Sequence, residues 1–332
     1  MTDTRLNRKE ATGSLYVFFQ SADYPLSPSY ITFDTDAMAW GDPVTLPAML
    51  LHDKEDIFYN SSPRAIYWNS QIYIFGRGPD NHVAVMTMTL DGATSDPVTL
   101  NDQTCTAVTP YIWNNNLYIF YAGVGSSNPL CCTQYDANLK MVTYWVASNS
   151  QSTDPVSFVP TDSNGGGVVV YNSGSNLYQV NFSMSTGFSS NSATLPIKIN
   201  FGTSYITIPG DPGADADMGG DYVLFRDIAS SYVSCFGIMD DNPNHNSSVF
   251  QIEGISADAD LSAVLFYGDG KSADIAIFYV DDLQLKVSGI HVTPNYNDNN
   301  NIFWADFNIK IIQPTGVAMP DVNCSPCALV IS

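Results

Sequence analysis

The chain has 332 residues, with 33 acidic against 12 basic side chains and a formal net charge of −21. That balance argues against nucleic acid and against insertion into or attachment to an anionic membrane, since both surfaces call for clustered Lys and Arg. Nineteen Tyr, 17 Phe, 23 Gly and 19 Pro favour short strands between turns, and no long stretch repeats apolar residues at helical spacing, so the class is all-β.

Residues 1–13 read as a polar tail ahead of a single domain spanning 14–332. The segment Met1 to Glu10 has no apolar core of the kind a secretory signal needs. No uninterrupted run approaches the ~20 apolar residues of a membrane-spanning helix. The expectation is a soluble protein, cytoplasmic or exported without a classical signal peptide.

In chain order the apolar segments repeat. Unit one supplies Leu15-Tyr-Val-Phe-Phe19, Tyr30-Ile-Thr-Phe33 and Asp42-Pro-Val-Thr-Leu46. Unit two is the fullest: Pro63-Arg-Ala-Ile-Tyr-Trp68, a turn at Asn69-Ser70, Ile72-Tyr-Ile-Phe75, a loop to His82, Val83 to Leu90, a turn at Asp91-Gly92, and Asp96-Pro-Val-Thr-Leu100. Four strands joined by tight turns make one antiparallel blade. Unit three repeats it with Pro110 to Asn114, Leu117 to Tyr121, Cys131 to Tyr135 and Asp154-Pro-Val-Ser-Phe158. Later units are more diverged. Their first strands are read at Gly167 to Tyr171, Asp221 to Phe225 and Ala263 to Tyr267, and their second strands at Leu177 to Val180, Tyr232 to Phe236 and Ile275 to Tyr279.

The closing octet, Ser325-Pro-Cys-Ala-Leu-Val-Ile-Ser332, reads like the opening of unit two, Ser62-Pro-Arg-Ala-Ile-Tyr-Trp68. It is a first strand with nothing after it, while Leu15 to Phe19 is a second strand with nothing before it. Joined in space, the two halves close a ring. The reading is a six-bladed β-propeller of four-stranded antiparallel blades, with five blades if the weak fourth unit merges with a neighbour.

Six cysteines are too few and too irregular for a disulfide framework in a chain of this length. Cys324-x-x-Cys327 has metal-like spacing, but no second pair completes a zinc site, so it reads as structural.

Loops between second and third strands and those between blades share one face, where a propeller ligand would sit. Two such loops are chemically rich. One is Gly76-Arg-Gly-Pro-Asp-Asn-His82 and the other Asp240-Asp-Asn-Pro-Asn-His-Asn246. Arg77 offers a donor fork, Asp80, Asp240 and Asp241 accept from hydroxyls, and His82 and His245 do either, so these residues are either turn caps or ligand contacts. Trp68 and Trp113 end first strands and are either packing aromatics or sugar platforms. In the segment 210–221, Asp211, Asp215, Asp217 and Asp221 form either a solvated acidic loop or a cradle for Ca²⁺, the one cofactor the sequence suggests.

The blades built as apolar-Trp, turn, apolar-Tyr-apolar-Phe resemble those of the fungal and bacterial fucose-binding propeller lectins. In architecture and strand pattern the resemblance covers most of the chain. It implies sugar pockets between blades, each using an Arg from a second strand, a Glu from a third strand and an aromatic platform. Arg77 alone falls near the expected Arg segment, no third strand carries a Glu, and the five Trp do not recur once per blade. The expected function is therefore glycan or glycoprotein recognition without catalysis, by a chain that could form homo-oligomers. Two alternatives stay open: a glycoside hydrolase or lyase on a propeller scaffold, and a structural or toxin-associated interaction module. No HExxH, Gly-x-Ser-x-Gly or phosphate loop occurs.

Overall fold

A computed structural model describes residues 14–20, 27–34, 39–47, 62–161, 164–199, 202–208, 220–228, 230, 232–238, 249–258, 261–268, 273–282, 284–292, 294–296, 302–304, 308–310 and 326–331. The tail 1–13 lies outside this set.

Six antiparallel blades form the ring, which removes the five-blade alternative. From inner to outer strand, blade 2 is Arg64–Trp68, Gln71–Arg77, His82–Met88 and Val98–Gln103. Blade 3 is Thr109–Trp113, Asn116–Ala122, Pro129–Tyr135 and Met141–Gln151. Blade 4 is Ser157–Pro160, Gly166–Ser173, Asn176–Ser183 and Gly187–Lys198. Blade 5 is Ser204–Ile208, Gly220–Arg226, Tyr232–Ile238 and Phe250–Ser256. Blade 6 is Ser262–Gly268, Ala273–Asp281, Gln284–Val292 and Asn308–Lys310. A small ladder, Pro294–Tyr296 with Ile302–Trp304, stands apart from the blades.

Blade 1 is assembled from both ends of the chain. Cys327–Ile331 is its inner strand and pairs with Ser14–Gln20, with Phe18 opposite Cys327 and Ser14 opposite Ile331; Pro28–Asp34 and Ala39–Trp40 follow. The expected closure by the C-terminal segment is therefore present.

Four expected strand ranks are corrected. Gly167 to Tyr171 and Asp221 to Phe225 lie in second strands, and Leu177 to Val180 and Tyr232 to Phe236 in third strands, because Ser157–Pro160 and Ser204–Ile208 occupy the inner positions. Consequently Asp154-Pro-Val-Ser-Phe158 leads into blade 4, and the outer strand of blade 3 is Met141–Gln151. The physical reason is that a strand between two blades is buried on both faces. In blade 2, Ile72 and Ile74 pack toward blade 1 while Tyr73 and Phe75 pack toward blade 3. The second strands in particular read as nearly continuous apolar runs, so hydrophobicity alone does not tell them from inner strands.

Six apolar clusters fill the six gaps between blades. Side chains such as Phe18, Phe75, Phe120, Phe158, Phe225 and Phe278 are almost fully enclosed there. Each contributes on the order of 1.5–3 kcal/mol relative to exposure, so these interfaces hold the ring together.

A belt of polar groups at the starts of the inner strands stitches neighbouring blades. The Ala65 amide donates to Cys327 Sγ (3.3 Å), the Ala263 amide to Ser204 Oγ (3.0 Å) and the Ala328 amide to Ser262 Oγ (2.9 Å). Ser157 Oγ donates to the Thr203 carbonyl (2.7 Å), and Thr109 Oγ1 donates to that of Val156. Cys327 is a free buried thiol with a structural acceptor role.

Candidate functional site

Second strands end on the face that carries the second-to-third loops and the inter-blade linkers. The residue at that end is fixed by register. Phe75 lies opposite Arg64 at the start of its inner strand, and Arg77 stands two residues further. The same count from Phe18, Phe120, Val170, Leu224 and Phe278 places Gln20, Ala122, Asn172, Arg226 and Val280 at the equivalent positions. Arg therefore occurs twice, in blades 2 and 5, which are three blades apart in a six-blade ring. Reading Asp221 to Phe225 as a first strand concealed Arg226; its sequence signal was the Arg that ends the run Tyr222-Val-Leu-Phe225.

In blade 2 the structure brings Arg77, Asp80 and His82 onto one short loop. Asp80 and Asn81 adopt φ of 54° and 64°, the left-handed region that Asp and Asn tolerate better than most side chains. The loop is clamped by the following linker: the Thr104 amide donates to the Asn81 carbonyl (2.9 Å) and Gln103 Nε2 to the Asp80 carbonyl (3.1 Å). His82 Nδ1 lies 3.0 Å from the Leu100 carbonyl, which makes it the donor. Its Nε2 then accepts from Gln103 Nε2 at 3.3 Å, so the neutral tautomer carries its proton on Nδ1. Arg77 is only 4% exposed, and Nη1 donates to the Cys105 carbonyl at 3.1 Å.

In blade 5 the matching loop follows Arg226, which is half-buried. Asp227 accepts from Ser230 Oγ (2.9 Å), the Asp227 amide donates to the Tyr232 carbonyl (3.0 Å), and the Tyr232 ring is left exposed at the start of the third strand. Both loops therefore run Arg, then Asp, then a ring: Arg77, Asp80, His82 and Arg226, Asp227, Tyr232.

Beneath the blade 2 loop, between blades 2 and 3, lies a polar cluster that the sequence reading missed. Asp102 is buried and accepts from Tyr121 Oη (2.7 Å), Thr133 Oγ1 (2.5 Å) and Tyr135 Oη. Burial, followed by the nearby Asp102 charge, pushes the Tyr121 hydroxyl far above its ordinary pKa. The available signal was Asp102 two positions beyond Leu100, on the side of the strand that faces blade 3.

Neither Trp68 nor Trp113 is gathered with Arg77. Trp68 and Trp113 stand at the opposite ends of inner strands. Trp68 is buried, donates from Nε1 to Asn115 Oδ1 (3.3 Å) and packs on Tyr73 with 5.1 Å between centroids. Trp113 is half-buried, edge-on to Tyr118. Asp240, Asp241 and His245 lie outside the described residues. The segment that holds them joins the third strand of blade 5 to its outer strand, and Ile238, at its start, pairs with Asp221 at the far end of the second strand from Arg226. Asp211, Asp215 and Asp217 are also outside the described residues, and Asp221 sits in a strand, accepting from Thr207 Oγ1 at 2.5 Å. Among the described residues, carboxylates close enough to share a cation are those of Asp258, Asp281 and Asp282, whose ligand atoms lie within 4.8 Å of one another. Lys286 already pairs with Asp281, and the Asp282 amide donates to Asp258. Among the described residues, no helix is long and apolar enough to cross a membrane.

No protein-family model matches the chain, and no curated protein matches it in sequence. Solved structures do match in fold. A triple arginine-to-alanine mutant of AofleA from Arthrobotrys oligospora superposes with a TM-score of 0.61 at 14% identity, over 96% of this chain and 89% of that one. The BP39L lectin from Burkholderia pseudomallei gives 0.57 at 14% identity, over 93% and 84%. The fungal lectin of Aleuria aurantia, described as a six-bladed β-propeller with a novel fucose recognition mode, gives 0.50 at 10%, over 92% and 98%. The chain is thus a six-bladed β-propeller whose architecture is shared with propeller lectins. At these identities the likeness is one of fold.

Proposed function

We propose that this protein is a non-catalytic carbohydrate-binding propeller that engages glycans or glycoproteins through the second-to-third loops of blades 2 and 5. The observation that carries the reading is the recurrence of an Arg and, on the facing third strand, a ring at equivalent register positions in two blades of different sequence, each with an Asp in the loop between. A guanidinium fork donates to vicinal hydroxyls, a carboxylate accepts from them, and a ring packs on the apolar face of a pyranose. Arg226 with the exposed Tyr232 makes the more open site, and the linker-clamped Arg77 the tighter one. Sharing a fold with structures that are themselves lectins supports the same reading.

The test is a glycan array followed by competition with free monosaccharides, fucose among them. The reading expects signal that a monosaccharide displaces and that Arg226→Ala weakens at least tenfold. An array without signal overturns it, and turnover of an aryl glycoside would replace it with an enzyme.

A further inference from the structure

Between blades 2 and 3 the outer strands part. Residues opposite each other in a ladder point to the same side of the blade. Val98, opposite Val85, therefore points at blade 3, and Met141, Tyr144 and Val146, opposite Tyr135, Thr133 and Cys131, point at blade 2. Strand Met141–Gln151 packs along Gly187–Lys198 of blade 4 and has no comparable contact with Val98–Gln103. The gap between blades 3 and 4 is accordingly filled, with Trp145 on Phe182 and against Gly187. On the other side Val98 (51%), Met141 (47%), Tyr144 (50%) and Val146 (47%) stay half exposed and line a cleft open to the rim of the ring.

The floor of this cleft holds Asp102. Its carboxylate is buried and takes three hydroxyls, yet among the described residues no Lys, Arg or His pairs with it. Hydroxyl dipoles satisfy the lone pairs of a desolvated anion without cancelling its charge, so the cleft above carries a negative potential in surroundings of low dielectric. Tyr144 links floor and opening. Its hydroxyl lies 3.3 Å from Cys131 Sγ, within reach of Tyr121 and of the Asp102 charge. That anchor holds the ring in place while half of the residue stays open to solvent.

We infer that this cleft is a binding site for a small organic cation, an ammonium group on an alkyl or aryl body. The ammonium lies over the Tyr144 ring, where the π-face and the Asp102 charge both attract it, and the apolar body lies between Val98 and the wall formed by Met141 and Val146. The local charge selects this occupant. A carboxylate ligand meets the same potential with the wrong sign, and a neutral one forgoes the larger share of the attraction. The site is separate from the second-to-third loops and does not rest on glycan binding.

The experiment is a ligand-observed NMR titration of the full chain with three compounds of one shape: phenylbutylamine, phenylbutanol and phenylbutyrate. The expected result is saturable binding of the amine with a Kd below about 1 mM, at least about tenfold weaker binding of the alcohol, and none of the acid. Val146→Lys puts an ammonium into the cleft and should weaken the amine at least about tenfold. Ser190→Lys on the outer strand of blade 4 changes the net charge equally and should leave the amine's Kd unchanged. Both positions are exposed, so both variants should keep the wild-type melting midpoint. Tyr144→Leu keeps an apolar wall without the ring and should cost about threefold. No saturable binding of the amine up to about 10 mM overturns the inference. So does equal affinity for amine and acid, or an affinity that Val146→Lys leaves unchanged.

Discussion

Replacing Asp102 by Ala gives the sharpest check on how blades 2 and 3 are joined. The carboxylate receives three hydroxyls from blade 3, those of Tyr121, Thr133 and Tyr135, all in a buried interface. Without it, Tyr121 and Thr133 can still pair with each other across 3.2 Å. Tyr135 loses its acceptor, and the Tyr121–Thr133 pair is one acceptor short. Two buried hydroxyls without an acceptor cost about 1–3 kcal/mol each, so the expected loss is on the order of 4 kcal/mol. Against a total stability of roughly 5–15 kcal/mol, that is a large fraction. Urea unfolding followed by tryptophan fluorescence reads it as a lowered midpoint. The asymmetry of the argument supplies a second arm: in the double variant D102A/Y135F an orphaned hydroxyl is gone, and about 1–2 kcal/mol should return. A loss from D102A below about 1 kcal/mol, or no recovery in the double variant, would refute the reasoning.

Truncation after residue 325 removes the inner strand of blade 1 and exposes the edge Ser14–Phe18; the truncated chain should aggregate or fail to fold, and a soluble product of unchanged stability would rule out this closure. Tyr121 and Tyr205 have hydroxyl pKa values raised first by burial, with nearby acidic groups adding to it. A raised folded pKa contributes stability that is complete below the unfolded value of about 10 and is lost as pH rises through the folded one, so urea midpoints should hold to about pH 9 and fall beyond pH 10. Absorbance at 295 nm should show these tyrosines ionising together with unfolding rather than before it. Burial also pushes the Cys235 thiol up to about 12. The native protein at pH 8 should accordingly leave Cys235 unmodified by a thiol reagent until denaturant is added.

The ring itself was legible in the sequence because its seam repeats a recognisable opening: Cys327 to Ile331 resembles the strand that begins at Pro63, and the register with Ser14–Gln20 confirms the pairing. The turn at Asn69-Ser70 was legible too, and both of its residues have positive φ. Strand rank was not. The same step, Asp-Pro-Val-(Thr/Ser), leads into an outer strand at Asp96 and into an inner strand at Asp154, and burial on both faces removes the alternation that would distinguish them. That single slip hid Arg226. Asp102 was hidden differently, as one Asp among thirty, because its three partners come from a neighbouring blade and only the fold brings them within reach.

The most direct test of the account is the ligand stoichiometry of the isolated chain, measured by isothermal titration with the best monosaccharide or glycan from the array. The account predicts two sites per chain for the wild type, one for Arg226→Ala with the wild-type unfolding midpoint kept, and one of altered affinity for Arg77→Ala, whose buried guanidinium also gives up its bond to the Cys105 carbonyl and so lowers the midpoint. Stoichiometry and affinity left unchanged by both substitutions would contradict it.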